Sequence, residues 1–291
     1  MAAKKNEVAK TDAKKELALQ TGSANLPAFM QEDMGKGLEN MRAEDMATPR
    51  LVLMQALSKE LQKNNSLSAG DFFHSATEEI FSEPLLVTPI YYDRRYLLWN
   101  PRDSGGGILA RSDDGINWSP PNAEFEVKLD KKDGGHKVTW KTAPTVAKSG
   151  LAEWGSMNPK DPQSPPAATL MHNFVFAFPD DPERMPAVFT FQRSLVTEGR
   201  KFLTRLKAQR APMFGTVFEL SSTDETKGDN SFKGVSLVGK GLITDDELYQ
   251  RFKQLNKTFT ELGMKIKSEE ELGDEPTGAN QADGAGTSGK Y

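Results

Sequence analysis

The chain has 291 residues, a formal net charge of −4 and no cysteine, with 37% hydrophobic and 27% charged residues. The missing thiols exclude a disulfide framework, thiolate zinc sites and cysteine nucleophiles. No run approaches the ~20 apolar residues of a membrane span, and MAAKKNEVAKTDAKKELALQTG lacks the apolar core of a secretory signal, so a cytoplasmic protein with no membrane partner is expected.

Residues 1–45 are rich in Ala, Lys, Glu, Asn and Gly without a sustained apolar period, which predicts a flexible tail with at most a weak helix over 5–19. Residues 46–265 read as a single β-rich domain. Its first apolar run, RLVLMQALS after Pro49, suits a strand or a short helix. Leu85 to Ile90 and Arg95 to Trp99 read as strands, the first at a sheet edge because of Pro89. Glu124 to Leu129 and Lys137 to Lys141 alternate around an Asp-Gly-Gly turn, a hairpin signal. Two further pairs follow, Asn173 to Phe178 with Ala187 to Phe191, and Gly215 to Leu220 with Phe232 to Val238.

Two segments have helical periodicity. From Ser194 to Gln209, Leu195, Val196, Phe202, Leu203 and Leu206 share one face, with Ser194 placed as a cap. From Thr244 to Leu262, Thr244 suits the cap, Asp245, Asp246 and Glu247 the positive start, and Gly263 the end. Hairpins plus two helices define a β-rich α+β class, expected as a small barrel or a strongly curved antiparallel sheet with a basic surface helix and a C-terminal helix. Residues 266–291 form an acidic, Gly-rich tail, predicted to be disordered.

Catalytic signatures are sparse. His74, His136 and His172 lack metal-ligand spacing. Asp113-Asp114-Gly115 and Asp180-Asp181-Pro182 read as turns before they read as cation sites. Gly105-Gly106-Gly107 matches no phosphate-loop pattern and reads as a flexible connection. The chain is therefore expected not to be an enzyme and to need no cofactor or metal. A metal-dependent nuclease using Asp113, Asp114, Asp180 or Asp181 is a minor alternative.

Two constellations carry the functional reading. The first is Tyr91 to Arg102, YYDRRYLLWNPR. On a strand, Tyr92, Arg94 and Tyr96 line one side. Rings beside guanidinium groups suit single-stranded nucleic acid, because bases stack on the rings while cations track the phosphates. The same alternation equally suits a core strand whose arginines reach back to solvent. The second is the basic helix, where Arg193, Arg200, Lys201, Arg205, Lys207 and Arg210 face the single acid Glu198. Docked by its apolar stripe, it presents its cations outward to phosphates or simply to water.

The layout resembles the single-stranded DNA-binding accessory proteins of tailed bacteriophages. The resemblance spans roughly Thr48 to Thr260 and rests on TPRLVLMQALSKEL, GDFF, YLLWNPR with GGG, WGSMNP, the basic helix, and APMFGTVFELSS. The tail departs from the best-known members, being less acidic and ending in Gly-Lys-Tyr. The resemblance implies an OB-like barrel and a protein that coats and protects single strands in phage DNA replication or recombination. Tyr92, Arg94, Arg95, Tyr96 and Trp99 would stack bases and touch phosphates; Arg200, Lys201, Arg205, Lys207 and Arg210 would form the electrostatic track. The implied partners are single-stranded DNA and phage replication or recombination proteins, in the cytoplasm of a bacterial host, with room for a homo-oligomer. The competing expectation is a virion or assembly protein acting through protein contacts.

Overall fold

A computed structural model describes residues 36–37, 49–227 and 230–262. The expected tails over 1–45 and 266–291, apart from a turn at Lys36–Gly37, and the expected helix stop at Gly263 lie outside the described residues. Every element below belongs to the unit Ala43–Tyr291.

Eleven strands and four α-helices follow in order: β1 Leu51–Leu53, α1 Lys59–Lys63, β2 Phe72–His74, β3 Ile80–Phe81, β4 Leu85–Trp99, β5 Ile108–Ser112, β6 Glu124–Lys128, β7 Lys137–Lys141, α2 Val146–Ser149, β8 Ala168–Ala177, β9 Ala187–Gln192, α3 Val196–Gln209, β10 Thr216–Lys227, β11 Asn230–Leu242 and α4 Asp246–Leu262. The main sheet runs β11-β10-β4-β8-β9, with β5 also pairing β4; β1-β2-β3 and β6-β7 form two smaller sheets. All the strand pairs are antiparallel. The class is thus α+β and β-rich with a C-terminal helix. The expected OB-like closure is not found: among the described residues β11 and β9 end the sheet without pairing each other, and the sheet does not curl on itself.

The two strands expected over 85–99 are one long strand, β4. Its pairing explains the proline. β10 pairs it only at Leu85–Val87, β5 only at Tyr96–Trp99, and β8 runs along the rest. Thr88 to Arg95 therefore has a strand on one side alone, and Pro89, which has no N–H to donate, sits in that locally edge-like stretch beside a bulge at Pro89/Tyr91. On the open side, Asn256 of α4 donates from Nδ2 to the Ile90 carbonyl at 2.7 Å.

The period-2 pattern of β8 and β9 divides the core. Phe174, Phe176, Phe178, Phe189 and Phe191 face one side with β1–β3 and α3; Val175, Ala177 and Val188 face the other with Ile90 and Phe252 of α4. Phe202 is the plug on the α3 side, edge-on to Phe174 at 4.9 Å and to Phe218 at 4.8 Å. A second core lies at the far end of β4, where Tyr96, Leu98 and Ala168 pack with Trp118, Val127, Trp140 and Leu151 of the 108–167 lobe. The face shared by β4 and β8 thus carries two separate covers, α3 with β1–β3 at one end and the lobe at the other.

Two cap expectations are corrected. Ser194 lies in a 3₁₀ turn, and the residue before α3, Leu195, makes no side-chain cap bond. At α4, Asp245 rather than Thr244 accepts from the Leu248 N–H, at 2.8 Å. Asp245 is the residue one turn before the N–H it meets, which is the reach a carboxylate cap needs. At the sheet edge, Gln55 bonds both backbone groups of Lys233 on β11, accepting from its N–H and donating to its C=O, each at 2.9 Å.

Candidate nucleic-acid interface

Alternation along β4 places Tyr92, Arg94 and Tyr96 on one face, opposite Phe174, His172 and Leu170 of β8. Their surroundings differ. Tyr92 is half-buried, its ring 5.0 Å from that of Phe174 and its hydroxyl hydrogen-bonded to His172 Nδ1 at 2.8 Å. Burial pushes its phenol up, with Arg94 opposing. Tyr96 is 6% exposed and belongs to the lobe core. Arg94 is exposed, donates to the Tyr96 hydroxyl and places its guanidinium 5.1 Å from that ring's centre. Trp99 is half-buried, with an indole nitrogen that has no hydrogen-bond partner among the described residues.

Arg95 points to the opposite face and is buried. Its Nε donates to Asp93 at 2.5 Å, and Nη1 lies 3.5 Å from Asp113. Burial raises the Asp93 carboxyl above the ordinary range, and Arg95 pulls it back. Neighbouring arginines have thus separated, one to solvent and one into an internal ion pair.

The basic helix α3 docks through Phe202, with Leu203 and Leu206 half-buried beside it, and leaves Arg200, Lys201, Arg205, Lys207 and Arg210 exposed. Lys201 pairs with Glu198, and Arg205 donates from Nη1 to the Leu237 carbonyl of β11 at 2.6 Å. Arg210 ends the helix at φ 54°. Arg94 and Arg200 make no ion pair among the described residues.

His172 joins the two constellations. It is 4% exposed, and its Nε2 has no hydrogen-bond partner among the described residues. Burial, followed by the fields of Arg94 and Arg200, lowers its pKa to about 4, so the ring is neutral at pH 7. A strand cation and a helix cation therefore both act on one uncharged imidazole. Glycines permit the approach on both sides. A Cβ on Gly199 of α3 would lie 2.8 Å from Phe191 Cβ and 3.3 Å from His172 Cδ2. One on Gly115 (φ +69°) would lie 2.9 Å from the Arg94 carbonyl.

Between β4 and the lobe is an open cavity of about 360 Å³, lined among others by Arg94, Tyr96, Gly115, Ile116, Ala147 and Glu153. Ile116 is 60% exposed, and Trp154, one residue beyond Glu153, is 70% exposed. These two residues and His172 were not singled out as ligand contacts from the sequence. The available signal for Trp154 was a tryptophan in a Gly-, Ser- and Pro-rich stretch with no strand pattern to bury it.

The aspartate pairs are engaged locally. Asp114 accepts from the backbone N–H groups of Ile116 and Asn117 at 2.8 and 2.7 Å. Desolvation alone would raise its carboxyl; these bonds outweigh it and hold the pKa at about 2. Asp113 lies beside Arg95 and Arg111, and Asp181 beside Arg184. Among the described residues no three His, Asp or Glu side chains are placed to hold a metal ion, and no helix is long and apolar enough to cross a membrane.

Fold and site together define a β-rich α+β protein with an open antiparallel sheet, a basic surface helix and a cleft beside Arg94. The chain belongs to the Pam3 phage gp34-like protein family, whose model matches residues 16–265. Membership supports a bacteriophage origin. Neither the curated proteins nor the solved structures yielded a match.

Proposed function

We propose that the protein binds single-stranded DNA, coating and protecting strands exposed in phage replication or recombination in the host cytoplasm. The observation that carries this reading is the set of exposed cations, Arg94 on β4 and Arg200 on α3, whose fields both act on buried His172. Lys201, Arg205, Lys207 and Arg210 extend the track along the helix. Among the rings, Tyr96 supports Arg94, Tyr92 bonds His172, and Trp154 offers an open face on which a base can stack. Neutral His172 adds no positive charge of its own at pH 7 to those of Arg94 and Arg200.

Labelled oligo-dT and a matched duplex, titrated by fluorescence anisotropy in EDTA over a salt series, test this. Binding of the single strand should weaken log-linearly with salt, with a slope of about −0.7 for each phosphate contacted. Absence of binding at low salt overturns the reading.

An assembly protein acting through protein contacts has one observation in its favour. Val238 and Leu242 are exposed on β11, the outermost strand. That reading predicts a defined oligomer in the absence of DNA and recovery of the protein in purified particles.

A further inference from the structure

We propose that the cavity beside Arg94 is a nucleotide subsite: it seats one base between the sheet and the 114–153 segment, while Arg94 holds the adjoining phosphate. The inference rests on the single-stranded DNA reading and gives that site a specific occupant.

Three observations carry it. The volume of about 360 Å³ lies at the small end of the ~300–1,000 Å³ typical of small-molecule sites, which suits one nucleoside rather than a larger ligand. The lining has the right division of chemistry. Ile116, Val146, Ala147 and Ala152 supply apolar surface for a flat ring. Glu153 supplies the acceptor for an N–H on the base's pairing edge, which every base carries. Of the other polar groups of the lining, the Ile116 N–H is taken by Asp114, its carbonyl by the Val146 N–H, and the Thr145 hydroxyl oxygen by the Lys148 N–H. An incoming base therefore meets largely apolar walls, the Glu153 carboxylate and the donors of Arg94.

Position is the third observation. Arg94 lines the cavity and is exposed, so a phosphate held on its guanidinium has its own base within reach of the cavity mouth. Gly115 is integral to this arrangement, because any side chain there would strike the Arg94 backbone and stem.

The nucleotide unit can come from a strand or from the free pool, and the experiment separates the two. By calorimetry, the wild-type chain is titrated with 5′-dTMP, deoxyribose 5-phosphate and a dT oligomer, and the titrations are repeated with Ala147→Trp. Ala147 is exposed on α2, so the substitution fills the cavity mouth without entering a core. The expected result is that dTMP binds at least about fivefold more tightly than deoxyribose 5-phosphate, the low end of a base-stacking contribution. Ala147→Trp should erase that preference and weaken the oligomer by a similar factor, with the salt slope unchanged. Equal binding of dTMP and deoxyribose 5-phosphate by the wild type overturns the subsite whatever the variant does. So does an Ala147→Trp chain that binds the oligomer as the wild type does; in both cases salt-dependent oligomer binding leaves the DNA reading standing. If dTMP binds, Ala147→Trp blocks it and the oligomer never binds, the DNA reading fails and the subsite stands as one for free nucleotides. No binding of any of the three ligands overturns both.

Discussion

Strand β4 and helix α3 both read as cation-rich ligand surfaces, yet the fold treats them differently. From Tyr91 to Tyr96 only Arg94 is exposed. Tyr91 stacks on Phe259 of α4, Tyr92 and Tyr96 join the cores of the opposite face, and Arg95 is paired inside. On α3 all five named cations remain at the surface. A strand in the middle of a sheet has two faces, and here both are covered. A helix docked by one narrow stripe has only that stripe covered, and the rest keeps its charges in water. Aromatic residues in a strand also offer the most apolar area, so the core takes them first.

The contrast breaks most severely at the helix anchor. Phe202→Ala removes the ring that four phenylalanines surround. The loss should be about 3–5 kcal/mol in denaturant unfolding, and α3 should lose its registration on the sheet. A cost below about 1 kcal/mol would show that the stripe does not hold the helix.

The junction should respond to pH next. His172 titrates near the usual 6.5 when unfolded and at about 4 when folded. Below pH 6.5 the unfolded chain binds a proton that the folded chain refuses, so this contribution to stability is complete above 6.5 and lost as pH falls to about 4. The wild type should lose about 3 kcal/mol through this group over that window, and His172→Gln should flatten that part of the profile. Parallel profiles would show that burial does not hold the imidazole neutral in the folded chain.

A smaller effect tests the close approach. Gly199→Ala gains helix propensity of about 1 kcal/mol but places a methyl against Phe191 and His172. A net destabilisation of about 1–2 kcal/mol is expected, together with weaker oligomer binding because the cations of α3 shift with the helix. A stabilised variant would mean that the helix can lift without cost.

The finest test separates the neighbouring arginines. Arg94→Ala should alter stability by less than about 0.5 kcal/mol, as exposed substitutions do, while making the salt slope shallower by about 0.7. Arg95→Ala should do the reverse, destabilising the fold by leaving buried Asp93 without its cation and leaving the slope intact.

Much of this architecture could be read from local pattern. The three expected hairpins and both helices are present, because alternation with turn residues and a 3.6-residue stripe are local signals. Closure into a barrel was not legible, since it depends on whether the end strands meet, and no residue in β9 or β11 announces that. Pro89 carried true information at the wrong scale: it marks an open side within a central strand, not an edge strand. In the site, the α3 cations could be read from the absence of interleaved acids. The division between Arg94 and Arg95 could not, because it depends on register against His172 and on Asp113 arriving from another segment. His172 itself looked like an isolated histidine until Tyr92, Arg94 and Arg200 surrounded it.

Gln55 has a consequence for the molecule among its own copies. At Lys233 its amide occupies the outward N–H and C=O of β11, the two groups through which a further strand would have to register. A side chain thereby does at one point what a further backbone would do along a length, and it offers no N–H and C=O ladder on which the next strand could continue. The long β10–β11 ribbon thus has one point on its outer edge already taken by a side chain, and a strand from a second copy cannot pair there.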